Sequence, residues 1–206
     1  NIASTKILTL WKFTFDGGTI LFPLSYIFGD ILTEVYGYRR ARKVIWTGFF
    51  AALMMSLILW VVQLLPPADG WPNQKSYEEV IGFIPRIVAA SLVAYFTGEF
   101  TNSWLLSRLK VKTGGKYLWL RTIGSTLAGQ GIDTILFVVI ASALGVFPWS
   151  AAASIIAANY IFKVGIEVLF TPLTYRVVAA LKRAEQEDFY DRHTDFNPFR
   201  VGVDYR

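Results

Sequence analysis

Carboxylates, amides and a lysine interrupt stretches of the chain that are otherwise as apolar as lipid. One stretch carries Ser25, Asp30, Thr33 and Glu34, and another carries Arg86, Glu99 and Asn102. A third holds Ser125, Thr126, Gln130, Asp133 and Thr134, and the last holds Asn159, Lys163 and Glu167. Ionised carboxylates accept hydrogen bonds, amides accept and donate, and an ammonium only donates. Such a set can bind a polar solute, relay a proton, or tie helices together through ion pairs. Other chemistries are poorly served. The chain has no Cys, which removes thiol nucleophiles, disulfides and Cys-based metal sites. Its one His, His193, stands in a polar tail, so neither imidazole catalysis in an apolar setting nor a metal site is expected. No phosphate-cradling glycine loop is present, so nucleotide hydrolysis by the chain alone is not expected either.

The elements that must position these groups are membrane helices. Hydrophobic residues make up 54% of the chain and charged residues 17%, against about 25% charged in an average soluble protein. Apolar stretches run over 20–36, 44–65, 83–106, 118–145 and 149–180, and a spanning helix needs about 20 residues. Asp30 and Glu34 are four apart, Asn159, Lys163 and Glu167 follow at successive fours, and Gln130 and Asp133 are three apart. On a helix each set shares one face. At about 1.5 Å per residue, Asp30, Glu99, Asp133 and Lys163 lie roughly 10–20 Å from the nearer membrane face. An ionisable group so deep costs about 2.5–3.5 kcal/mol on insertion scales, so these side chains must face the bundle interior, pair, or line a wet cavity. The expected fold is an all-α, polytopic transmembrane helical bundle.

Details follow from local signals. Pro23 and Gly29 suggest that the first stretch is bent or partly re-entrant. Alternation from Lys6 to Gly18 reads as a short hairpin or extended loop at the membrane surface. The connection from Pro66 to Asn73 reads as irregular, with Trp71 as an interfacial anchor. Gly29, Gly98 and Gly129 allow close helix approach beside the polar groups. Basic residues cluster at Arg39–Lys43, at Arg108–Lys116 and at Lys182 and Arg183, whereas the intervening loops hold one Lys and no Arg. That alternation makes the basic loops cytoplasmic, and it accounts for the net charge of +5 without direct nucleic acid binding. Asn1 to Lys6 reads as the end of a truncated first helix. On that reading the full-length protein has six spans, with both termini cytoplasmic. Residues 1–183 form the transmembrane domain, and 184–206 form a polar cytoplasmic tail.

Each polar residue has a structural reading and a functional one. Lys163 is expected to pair with Asp133 or Glu167, and Glu34 with Arg39 at the inner boundary. Arg86 lies near the outer end, where it can snorkel. The mid-membrane acids outnumber the bases, however, so a carboxylate among Asp30, Glu99 and Asp133 is left for a ligand or a proton. Phe22, Tyr26, Phe28, Tyr95, Phe96 and Tyr160 could stack on a flat ligand, although lipid contact and helix packing use aromatics equally.

Three motifs in order carry a family resemblance. Phe22-Pro23-Leu24-Ser25-Tyr26-Ile27-Phe28-Gly29-Asp30-Ile31-Leu32-Thr33-Glu34-Val35-Tyr36-Gly37 with Ala41-Arg42 is the first. Ser125 to Thr134 is the second and Asn159 to Glu167 the third. Together they resemble the queuosine-precursor transporter family, also called the vitamin uptake transporter family. The resemblance implies a six-helix protein of the bacterial inner membrane. Its substrate would be a 7-deazapurine: 7-cyano- or 7-aminomethyl-7-deazaguanine, or queuine. No cofactor is implied. Given such a ligand, depth and chemistry make Asp133, Gln130 and Asn159 the first choice for binding it, and Asp30 and Glu99 the second. Lys163, Glu167 and Glu34 are left for proton or ion coupling or for internal ion pairs. The partners expected are the small molecule and the bilayer, with a further copy of the chain or an energising subunit left open. The alternative reading is a substrate-binding subunit of an energy-coupling-factor vitamin transporter, and a membrane-embedded enzyme is the more distant one.

Overall fold

The computed structural model describes residues 2–10 and 13–200. Ile2–Thr5 make a single 3-10 turn. Two short strands follow, β1 (Ile7–Leu10) and β2 (Phe13–Asp16), paired antiparallel with Ile7 opposite Asp16. The hairpin expected between Lys6 and Gly18 is therefore present. Among the described residues six α-helices follow: α1 (Phe22–Tyr36), α2 (Tyr38–Leu64), α3 (Gln74–Ile81), α4 (Ile84–Thr113), α5 (Leu118–Ala143) and α6 (Trp149–Glu185). Four helical segments are long and apolar enough to cross a bilayer: α2, α3 with α4, α5 and α6. The molecule is an all-α polytopic bundle.

α1 is one continuous helix, because Pro23 lies in its first turn, where a missing N–H removes no helical hydrogen bond. The connection from Pro66 to Asn73 carries no helix or strand, as expected; the short α3 (Gln74–Ile81) follows it, and Trp71 packs edge-on against Tyr77. The helices also outrun the apolar runs that announced them. α2 begins at Tyr38 and carries Arg39 to Lys43 within its first turns.

Glycines set the tightest approach in the bundle. A Cβ on Gly98 would lie 2.7 Å from the Cβ of Asp133 and 3.0 Å from the carbonyl oxygen of Gly129. One on Gly129 would lie 2.7 Å from the Cβ of Asn102. α4 and α5 thus meet backbone to backbone, which small residues permit. Around this seam the apolar core divides into three clusters, the smallest of Tyr38, Ile45 and Phe100. Ile87, Ala94, Val138, Phe147 and Ile155 fill the end bearing the α5–α6 turn. Ile27, Ile31, Val35, Leu118 and Val178 fill the other. On α2, Phe50, Met54, Leu57, Ile58 and Val61 are exposed, a surface suited to lipid.

The segment after α6, read from sequence as a polar extension, folds back across the ends of α1, α2 and α4. The Phe189 N–H donates to the Val35 carbonyl at 3.0 Å. Asp191 accepts from the Tyr38 N–H at 2.9 Å and from the Ser107 hydroxyl at 2.7 Å. Tyr38 is the first residue of α2, so a distant carboxylate supplies the anionic partner that a helix N-terminus favours. Gly37, between α1 and α2, has φ of 80°, a conformation open to glycine. A side chain there would also strike the ring of Phe189.

Candidate functional site

Of the charged and amide groups singled out in the sequence, all but Arg86 are inside. α1 contributes Asp30 and Glu34, α4 Glu99, α5 Gln130 and Asp133, and α6 Asn159, Lys163 and Glu167, none of them more than 7% exposed. They divide into a cavity wall, a layer behind it and a charged cluster at one end.

The cavity lies among α1, α2, α4, α5 and α6 and has a volume of about 1180 Å³. Phe28, Leu32, Val44, Met55 and Leu92 give it apolar walls, and Ser25, Tyr95, Glu99, Ser103, Asp133 and Lys163 supply the polar ones. Asp133 Oδ2 accepts from Lys163 Nζ at 2.8 Å, and that ammonium also reaches the Thr134 hydroxyl at 3.4 Å. Of the two acids expected as partners for Lys163, Asp133 is therefore the one bonded. Glu99 is different. It lines the cavity at 4% exposure, and among the described residues no ion pair forms on it. Its Oε2 would lie 3.3 Å from a Cβ on Gly29, so the absence of a side chain at Gly29 leaves room for the carboxylate between α1 and α4.

Asp30, Gln130, Asn159 and Glu167 are buried without being part of this wall. Asn102 Nδ2 donates to Asp30 Oδ1 at 2.6 Å, while Asp30 Oδ2, Gln130 Oε1 and Glu167 Oε1 have no hydrogen-bond partner among the described residues. An unsatisfied buried acceptor costs about 1–3 kcal/mol. Buried polar groups are ordinarily hydrogen-bonded to protein or water. Among the aromatic candidates, Tyr95 and Phe28 face the cavity, whereas Phe96 joins a cluster with Trp46 and Phe100. The Tyr160 hydroxyl is spent on the Leu127 carbonyl. The side chain of Phe22 lies outside the described residues. Arg86 is exposed, with its guanidinium 5.8 Å from the ring of Phe83.

The end cluster centres on Glu34. Its Oε1 accepts from Lys182 Nζ at 2.7 Å and Arg121 Nη2 at 3.1 Å, with Lys110 Nζ at 3.7 Å. Lys110 also donates to the Glu34 carbonyl oxygen, to Asp188 Oδ1 at 2.6 Å and to the Phe189 carbonyl at 2.8 Å. Glu34 was expected to meet Arg39; its bonds run instead to α4, α5 and α6. Sequence reasoning missed this cluster. Lys110 and Lys182 were read as loop charges that orient the protein, and Arg121 was passed over. The available signal was Arg121 itself, a guanidinium in the apolar run Leu118–Ala143, which is rarely unpaired.

A bundle of bilayer-length helices around a charge-lined cavity defines an integral membrane protein of the solute-transporter kind. The comparisons are specific about which kind. Residues 16–177 match the family described as "putative vitamin uptake transporter", and the chain belongs to that family. It is 29% identical over 176 residues to the "Probable queuosine precursor transporter" of Bacillus subtilis (strain 168), covering 85% of this chain and 76% of that protein. It is 28% identical over 166 residues to the "Queuosine precursor transporter" of Escherichia coli (strain K12), covering 78% and 71%. A "Probable queuosine precursor transporter" of Haemophilus influenzae is similar at 28% over 163 residues, covering 78% and 67%. No solved structure gives a significant match.

Proposed function

We propose that this protein imports queuosine precursors, 7-deazaguanine bases, across the bacterial inner membrane and does no covalent chemistry on them. The observation that carries the reading is the cavity, where Glu99 forms no ion pair among the described residues and stands beside the Asp133–Lys163 pair. A deazaguanine presents two adjacent N–H donors and a carbonyl acceptor on one edge. A carboxylate accepts from both donors, and an ammonium or amide meets the carbonyl. The flat ring has apolar walls and Tyr95 to lie against, as small-molecule sites commonly provide. In this reading Asp133, Glu99 and Lys163 meet the base, with Asp30, Gln130 and Asn159 as the polar layer behind them. Glu34 and Glu167 serve in internal pairing or ion coupling.

In this reading the ends of α2, α4 and α6 that carry the basic clusters, and the C-terminal segment with them, lie on the cytoplasmic side, as the positive-inside rule favours. Transport then draws on an ion gradient or on metabolic trapping of the base. The test is the queuosine content of tRNA in a bacterial host that can neither synthesise the modification nor import its precursors. Expression of the full-length protein with a supplied deazaguanine should restore queuosine. Normal membrane abundance with no restoration by any precursor overturns the reading.

A further inference from the structure

We propose that Glu99 sets the specificity of the cavity, by taking the paired N–H donors of a 2-amino-6-oxo edge on its carboxylate. The inference rests on the reading of the cavity as a base-binding site and assigns recognition within it. Two carboxylates face the space, and they are not equivalent. Asp133 is already engaged with the Lys163 ammonium at 2.8 Å, which occupies part of its accepting capacity. Glu99 has no such bond among the described residues, yet it is almost wholly removed from the outer surface. A bare buried carboxylate is expensive to keep, and a ligand that brings two N–H groups would supply what the fold withholds.

The surroundings hold the group for that task. Gly29 leaves space on the α1 side, where any side chain would press on Oε2. The Gly98–Gly129 contact brings α4 and α5 together, so Glu99, the residue after Gly98, is held near Asp133 across the seam. The first acid expected to bind the base from sequence was Asp133 with Gln130 and Asn159. Gln130 and Asn159 are not on the cavity wall, which shifts the donor-accepting role to Glu99 and leaves Lys163 facing a carbonyl.

Full-length protein in lipid nanodiscs would be tested for binding of 7-cyano-7-deazaguanine and of the analogue lacking the 2-amino group. In the unaltered protein the missing amine should weaken binding about ten- to a hundredfold, as for a hydrogen bond to a charged partner. In Glu99→Gln the same change of ligand should cost little, because the coupling between the two groups is gone. Equal penalties in both proteins would remove Glu99 from recognition while leaving precursor binding intact. Absence of binding to either base by the unaltered protein would instead sink the functional reading beneath it. Loss confined to 7-aminomethyl-7-deazaguanine would put that ligand's ammonium on Glu99, and so would also overturn the edge assignment.

A readout without substitution guards against a variant that does not fold. A hydrophobic carbodiimide should label Glu99 in the unliganded protein, as read by peptide mass. 7-cyano-7-deazaguanine should protect it, and the des-amino analogue at the same concentration should not. Equal protection by the two, or no labelling of Glu99 in the unliganded protein, would overturn the proposal.

Discussion

An ammonium on the wall of an apolar bundle persists because its counter-ion is beside it, and for Lys163 that counter-ion is Asp133 at 2.8 Å. Removing one member strands the other, at a cost of about 3–5 kcal/mol for a buried pair, whereas replacing both by apolar groups can be neutral. Asp133→Asn should therefore reduce membrane abundance, and Asp133→Asn with Lys163→Met should recover much of it without recovering uptake. Quantitative blotting of membranes together with precursor uptake separates the two effects. If the double variant transports normally, the pair is structural and takes no part in binding. The depth of these groups was legible in the sequence, since an ionisable residue inside an apolar run has few places to go. Their partners were not. Pairing depends on the phase and tilt of helices distant in sequence. Glu34 illustrates this, with its ligands arriving from Lys110, Arg121 and Lys182 rather than from Arg39 five residues on.

Helix contact at the α4–α5 seam is set by what Gly98 and Gly129 lack. Adding a methyl group at either position forces it to 2.7 Å from a neighbouring Cβ, and the helices must separate. Overpacking of this kind costs about 1–3 kcal/mol. Gly98→Ala and Gly129→Ala should each lower the midpoint of thermal unfolding in detergent and weaken precursor uptake, because Asp133 and Glu99 flank the seam. Gly131 and Gly124 lie on the same helix with ordinary 3.7 Å contacts. Alanine at either should be neutral or slightly stabilising, since it improves helix propensity. Equal effects at all four positions would argue against a specific seam. At this scale the long helices were legible because apolar length is an unambiguous signal in a membrane chain. α3 was not, being a single short amphipathic stretch between turns. The tail was not either. Phe189, Tyr190, Phe196 and Phe199 follow no helix or strand period, so nothing in their spacing announced that they dock.

For the whole molecule, that docked tail adds a second set of ties between helices that Glu34 already links at the same end. Asp188 bridges Lys110 of α4 and Lys182 of α6 at 2.6 and 2.8 Å, and both lysines also hold Glu34 of α1. Arg42 of α2 donates to the Asp195 and Asn197 carbonyls, and Trp46 donates to that of Pro198. Four helices are thereby tied through one strap on the face proposed to be cytoplasmic. Any movement that opens this end of the cavity must loosen it. Partial burial pushes the Asp188 carboxyl up, but its hydrogen bonds from Lys110 and Lys182 outweigh that and hold it below the usual carboxylate range. A lowered folded pKa means that the contribution to docking is complete above the ordinary Asp value of about 3.9. It fades as the pH falls from there through the folded value. Hydrogen exchange of residues 187–200 should therefore be slow at neutral pH and should rise as the pH drops below about 4, after correction for the intrinsic rate. Asp188→Asn should show the fast exchange already at neutral pH, with the midpoint of the pH response lost. Because the carboxylate is partly exposed, the bundle itself should stay folded. Slow, pH-independent exchange in the variant would show that Asp191 and the aromatic contacts hold the strap without the charge, and that Asp188 serves only to neutralise the two lysines.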